Sequence, residues 1–122
     1  MNIIPSMRCR DMQRSLAFYT NVLDFKHLGT WPETGSPSFS TLSRKGARLQ
    51  LSSHSGDGTF GNVVYILVQN IDQLFQHYVA RGLNAKAKMD SPVHQGPTDQ
   101  TWGTREFYVD DPDGNTLRFI QH

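Results

Sequence analysis

The apolar positions of this chain change their spacing in the same order twice. Ile3 to Cys9 is a short apolar-rich run that reads as a strand. Leu16, Phe18 and Tyr19 then recur at roughly helical spacing. The order returns with Val63 to Val68, a continuous apolar run suited to burial on both faces of a sheet, followed by Leu74, Phe75 and Tyr78. A residue able to cap a helix opens each helical stretch. Asp11 or Asn70 would accept a hydrogen bond from a first-turn amide, and Asn70 with Gln73 has capping-box spacing. Each copy therefore predicts an amphipathic helix of about three turns.

Direct comparison makes the repeat explicit. The stretch from Asp11 to Tyr19 lies over that from Asn70 to Tyr78, an offset of 59 residues. Downstream, Phe39 to Leu51 overlays Phe107 to Phe119 at an offset of 68, which brings Gly46 and Gly114 together at a turn. Asp111-Pro112-Asp113-Gly114 has tight-turn chemistry, because Pro fixes φ and Gly accepts the positive φ that closes the turn. Each half thus predicts β-α-β-β with a further short strand, module 1 over about residues 1–56 and module 2 over about 60–122.

Composition narrows the function classes. At 122 residues, 37% hydrophobic and 11% aromatic, the chain is sized as a single domain, 1–122, with material for a real core. No stretch approaches a membrane span and no secretory h-region opens the chain, so a cytoplasmic protein with no membrane partner is expected. The single cysteine, Cys9, excludes an intramolecular disulfide and a Cys-rich zinc site. It alternates with Met7 and reads as a buried structural thiol. A net charge of +1 without a basic run gives no electrostatic case for nucleic acid. Neither a Gly-rich phosphate loop nor a His-Glu-x-x-His helix occurs.

Several segments together carry a family resemblance: Arg8-Cys9-Arg10-Asp11 leading into Ser15 to Phe25, Trp102-Gly103-Thr104-Arg105-Glu106-Phe107, and Asp111-Pro112-Asp113-Gly114-Asn115-Thr116-Leu117-Arg118-Phe119. In order, spacing and internal repeat the chain resembles the vicinal oxygen chelate superfamily of glyoxalases, bleomycin resistance proteins and dioxygenases, most of all its bleomycin-resistance branch. The resemblance implies an α+β fold of two tandem βαβββ modules that form a cleft, in a domain-exchanged or face-to-face homodimer. Metal-dependent members carry His or Glu on the first and last strands of each module. The matching positions here are Ile4, Gln50, Val63 and Arg118. Two have no donor atom, one offers a neutral carbonyl and one a permanent cation, so neither metal nor cofactor is expected. His27, His54, His77, His94 and His122 show no spacing that rebuilds a cluster. His77 and His122 read as surface residues, and His54 and His94 as loop residues near the implied cleft.

A cleft without a metal still binds, and aromatic side chains supply its walls. Trp31, Phe39, Phe60 and Trp102 fall in or beside loops and strand ends, where an aromatic either plugs the core or lines a pocket. Trp102, in a polar stretch with no apolar period, is expected to line it and to stack flat rings. If Gln50 and Arg118 face the cleft, alternation places Arg48 and Ser52, Thr116 and Ile120, and Glu106 and Tyr108 there too. Leu49, Leu51, Leu117, Phe119, Phe107 and Val109 then turn to the core. Glu106 and Arg118 pair across the sheet in this reading, either as a structural ion pair or in ligand recognition.

The expected function is a metal-free, antibiotic-resistance-like protein that sequesters or senses a partly aromatic small molecule. Its site would comprise Trp31, Phe39, Gln50, His54, Trp102, Glu106, Tyr108 and Arg118, with no catalytic residue. A cationic glycopeptide such as bleomycin fits poorly beside Arg48 and Arg118; a neutral or anionic aromatic molecule fits better. The alternatives are a metal-dependent lyase, isomerase or dioxygenase of the glyoxalase family, and a metal-free enzyme using Glu106 or a loop histidine as base. The loop from Thr30 to Ser38, rich in Pro and Gly, is a candidate lid.

Overall fold

A computed structural model describes all 122 residues. They fall into two units, Met1–Asn62 with Asp111–Asn115, and Val63–Asp110 with Thr116–His122. Each is built on a four-stranded mixed sheet and carries a βαβββ order, giving an α+β fold of two tandem modules. No helix is long and apolar enough to cross a membrane.

In the first unit, β1 (Ser6–Arg8) leads to α1 (Met12–Ala17), followed by β2 (Lys26–Trp31), β3 (Phe39–Arg44) and β4 (Ala47–Ser52). The sheet order is β1-β4-β3-β2, with β1 parallel to β4 and the other pairs antiparallel. Asp11 caps α1 as its residue type predicts, its Oδ1 accepting from the Arg14 amide at 3.2 Å. Beyond Ala17 the helix widens into a π turn, Phe18–Val22, closed by Leu23 N donating to Phe18 O at 3.2 Å. Tyr19 in that turn and Leu23 just after it are fully buried, and Met7, Cys9, Leu42, Leu49 and Leu51 of the same unit are buried too. Pairing of the first strand is shorter than the apolar run Ile3 to Cys9. It starts where Gln50 N donates to Pro5 O, and Ile3 and Ile4 stay exposed.

The turn Asp111–Asn115 belongs to this unit through buried polar contacts. Asp111 Oδ2 accepts from Tyr19 Oη at 2.8 Å, and Asp113 Oδ2 from Ser15 Oγ at 3.2 Å. Asn115 Oδ1 accepts from the amides of Gly61 and Asn62, while its Nδ2 donates to Arg8 O. Gly114, at φ 81°, closes the turn as expected.

The second unit runs β5 (Val63–Leu67), α2 (Ile71–Ala80), α3 (Pro92–Gln95), β6 (Thr98–Asp99), β7 (Arg105–Asp110) and β8 (Thr116–Gln121), with sheet order β5-β8-β7-β6. Its core holds Phe107, Val109, Leu117 and Phe119 against Ile71 and Tyr78 of α2. Phe107 and Phe119 stack with centroids 4.8 Å apart. The core assignments made by alternation hold in both units, while Ser52 and Ile120, assigned to the opposite face, are buried as well.

Three expectations are corrected. The run Val63 to Val68 is not buried on both faces, because Val63, Tyr65 and Leu67 are 48%, 63% and 68% exposed. β5 is an edge strand whose alternate residues meet no covering layer. Asn70 does not cap α2 with its side chain; it sits at φ 53°, away from the extended backbone from which a capping side chain reaches the helix, and Ile71 N donates instead to Gln121 Oε1 at 2.8 Å. The overlay of Phe39 on Phe107 slips by one residue. Gln50 pairs with Thr41 while Arg118 pairs with Tyr108, which makes Glu106 the counterpart of Phe39. Five residues turn the second hairpin and only Lys45-Gly46 the first, and a one-residue slip exchanges the faces of a strand.

Candidate functional site

The sheet face of the first unit opposite its core carries Trp31, Phe39, Thr41, Arg48 and Gln50, set by strand alternation. Trp31 pairs with Phe39, and Thr41 with Gln50. A register shift between His27 and Gly29 redirects Leu28. Leu28, Trp31, Phe39, Thr41 and Arg48 line an open hollow of about 380 Å3. Trp31 is 67% exposed and Phe39 36%, so both present ring surface to solvent. The predicted residues Trp31 and Phe39 therefore come together here. Gln50 lies half-buried on the same face beside Ser6, outside the lining of the hollow. His54 also stands outside it, beyond β4, its amide donating to Ser52 Oγ at 3.2 Å.

Thr30 and Trp31 are residues of β2, so the connecting loop is shorter than the stretch from Thr30 to Ser38. At the far end of the loop, Ser38 is buried and tied to Ser53 by Ser53 N to Ser38 O at 2.9 Å and Ser38 N to Ser53 Oγ at 2.8 Å. Phe60 has a packing role, lying under the guanidinium groups of Arg8 and Arg10 at 4.4 and 3.7 Å from its ring centroid.

In the second unit the corresponding face carries Tyr65, Glu106, Tyr108 and Arg118. Tyr65 and Tyr108 flank Arg118 across the sheet. The expected ion pair between Glu106 and Arg118 is replaced by other bonds. Glu106 Oε1 accepts from Tyr108 Oη at 2.9 Å, and Oε2 accepts from Trp102 Nε1 at 3.1 Å and from the Thr104 hydroxyl. Burial alone would raise the Glu106 pKa. The hydrogen bonds from Thr104, Tyr108 and Trp102, with the field of Arg118, outweigh it and hold the carboxyl below its ordinary range. An ionised carboxylate with both oxygens occupied is a weak base, which argues against Glu106 as a proton acceptor in catalysis.

Arg118 turns the other way. Its Nη1 donates to Tyr65 Oη at 2.9 Å, its Cζ lies 4.7 Å from the Tyr108 ring centroid, and its Nε is buried without a hydrogen-bond partner. Trp102 is 67% exposed, so it is not core.

Sequence reasoning missed Tyr65, Leu67 and Thr104. A tyrosine inside the apolar run of β5 was the available signal for an open face. His94, read as a loop residue, lies in α3. Its ring bridges Ser91 Oγ at 2.8 Å and Asp110 Oδ1 at 3.0 Å. Burial would raise the Asp110 pKa, but bonds from Lys88, His94 and Thr116 lower it below the ordinary range.

The residues at the four positions where a metal-binding relative would carry ligands do not fit a metal. Ile4 and Val63 are partly exposed with no donor atom, Gln50 is neutral, and Arg118 brings a guanidinium already bonded to Tyr65. No group of three or more His, Cys, Asp or Glu converges elsewhere to hold an ion.

The model of the Glyoxalase/Bleomycin resistance protein/Dioxygenase superfamily matches residues 4–119. No curated protein matches the chain. Among solved structures, a bleomycin-binding protein complexed with bleomycin aligns with 21% identity and a TM-score of 0.77, covering 100% of this chain and 98% of that one. A bleomycin resistance determinant encoded on the transposon Tn5 aligns at 20% identity with a TM-score of 0.77, covering 100% and 98%. TioX from Micromonospora sp. ML1 aligns at 22% with a TM-score of 0.72, covering 100% and 96%. At these identities the likeness is one of fold.

Proposed function

Because the chain belongs to the Glyoxalase/Bleomycin resistance protein/Dioxygenase superfamily, we propose that it is a metal-free member that binds a partly aromatic small molecule, sequestering or sensing it. The observation that carries this reading is the open hollow of about 380 Å3 walled by the exposed rings of Trp31 and Phe39, with Arg48 at its side. Exposed aromatics beside a few polar groups are how small-molecule sites combine affinity with orientation. The donor chemistry at Ile4, Gln50, Val63 and Arg118 supports the metal-free part. The second unit supports the rest, offering Tyr65 beside Arg118 and an exposed Trp102 bonded to Glu106.

We also propose a homodimer. Ile3, Ile4, Leu28 and Val63 are all at least 43% exposed, more large apolar side chains than a lone small domain ordinarily leaves in water. Sedimentation equilibrium tests this directly, and a monomer at micromolar concentration would overturn it.

The test of function joins two titrations of the tag-free protein. Calorimetry with zinc, nickel, manganese and iron(II) is expected to show no stoichiometric site, and one tight site per chain would return the protein to the metal-dependent members. A screen of aromatic compounds by tryptophan fluorescence is expected to give ligands whose binding Trp31→Ala or Trp102→Ala weakens. Both variants should melt near the wild-type temperature, since both rings are 67% exposed. A large loss of thermal stability in either would show that residue to be structural.

A further inference from the structure

On the open face of the second unit, unspent hydrogen-bond donors gather at Arg118 and Tyr65. Glu106 would be the natural acceptor, but it is buried and its two oxygens already accept from Trp102, Thr104 and Tyr108. The Tyr65 oxygen already accepts from Arg118, which leaves its O–H to give. Arg118 carries five N–H groups and spends one on Tyr65. Its Nε finds no partner, and no carboxylate lies within ion-pair distance of it. A cationic ligand would meet a guanidinium that no carboxylate neutralises, with Glu106 buried behind its donors.

The apolar part of the same face lies one rung away. Register places Tyr65, Arg118 and Tyr108 on one rung and Leu67, Ile120 and Glu106 on the next same-face rung, with Trp102 bonded to Glu106 at its margin. Same-face rungs are separated by roughly 7 Å, twice the rise per strand residue. That is about the distance from a carboxylate to the far side of a fused bicyclic ring.

We propose that this face binds an aromatic carboxylate, its anionic group on the Arg118 guanidinium and Tyr65 hydroxyl, and its ring laid over Leu67 against Trp102, both exposed. This rests on the small-molecule reading above and names the chemical class of the ligand. A guanidinium favours a planar two-oxygen anion because its fork of donors matches the spacing of the two oxygens. The rings of Tyr65 and Tyr108, 5.4 and 4.7 Å from the Arg118 carbon, hold the fork in place before a ligand arrives.

The test uses the full chain and three probes of nearly one shape: 2-naphthoate, its neutral isostere 2-naphthamide, and 2-naphthylmethylammonium. Binding is read by calorimetry and by Trp102 fluorescence in a Trp31→Phe background. Naphthoate is expected to bind about tenfold or more tighter than the amide, the value of a charge-assisted bond, and the ammonium weakest. Arg118→Gln should bring naphthoate down to the amide level and weaken the amide much less, whereas Arg118→Lys retains part of the preference. Melting curves of both variants verify that they fold. Should Arg118→Gln fail to fold, the ranking of the three probes on the unaltered chain decides by itself. Equal affinity for acid and amide, or a preference that survives Arg118→Gln, would overturn the anion assignment and leave the small-molecule reading standing. Failure of all three probes to bind would overturn the assignment too, and the aromatic-ligand screen would then decide the broader reading separately.

Discussion

At the scale of single residues, the most consequential side chain is Asp111. Its carboxylate accepts from Tyr19 Oη, from the amides of Asp113 and Asn115, and from Asn115 Nδ2, all within 2.8–3.0 Å. Removing it strands four buried donors at once. Asp111→Ala is expected to cost about 3 kcal/mol or more in urea unfolding, and Asp111→Asn less, since it retains one acceptor oxygen. Cys9 is the opposite case, a group whose chemistry the fold suppresses. Burial chiefly, with the charges of Asp113, Asp111 and Asp11 and against a bond from Ser15, pushes its thiol up to about 11. At pH 8 roughly one molecule in a thousand then carries the thiolate. A disulfide-exchange reagent should leave the folded protein unlabelled over minutes and react promptly in denaturant. The buried-thiol role of Cys9 was legible because it alternates with Met7. The buried role of Asp111 was hidden, since Asp-Pro-Asp-Gly is equally good chemistry for an exposed turn.

At the scale of elements, the amphipathic periods were legible and the strand edges were not. Leu49, Leu51, Leu117 and Phe119 face the core because sheet periodicity admits only two faces. Which faces receive a covering layer is a tertiary matter that no local pattern encodes, and this is why Tyr65 and Leu67 read as buried. Hairpin overlay failed for a related reason. A shared glycine fixes where a turn is but not how many residues it holds, and the slip moved Phe39 onto a core residue. The Lys45-Gly46 turn carries a prediction of its own. Both φ angles are positive, 47° and 86°, as a two-residue hairpin turn demands, and lysine tolerates that region poorly where asparagine does not. Lys45→Asn should stabilise the protein by about 0.5–1 kcal/mol, seen as a melting temperature higher by a few degrees.

For the molecule as a whole, the charge arrangement sets an acid limit. Glu106 and Asp110 are both held below their ordinary pKa range in the folded state. An acid with a depressed folded pKa adds stability above its unfolded pKa, near 4, and that contribution is lost as pH falls through the folded value. The melting temperature should therefore be flat through neutral pH and fall below about pH 4, with a shallower acid limb in Glu106→Gln. A limb of unchanged slope would show that Glu106 titrates as it does in the unfolded chain. The candidate site was partly legible at this scale. Aromatic and arginine side chains on sheet faces followed from alternation, but the choice of partners did not. Thr104 and Trp102 claim Glu106 through loop geometry that no spacing encodes, and Arg118 was thereby left for Tyr65.

The turn Asp111–Asn115 comes from the second half of the sequence yet packs as part of the first unit. Cutting the chain at the repeat boundary would therefore not yield two self-sufficient halves. A fragment ending at Asn62 would leave Tyr19, Ser15 and the Gly61 amide with no acceptor from the turn, and the complementary fragment would carry a loop whose carboxylates have lost those donors. Expressed separately, the two pieces should be poorly folded, and mixed they should complement each other through that loop. A split protein of this kind would report its own reassembly.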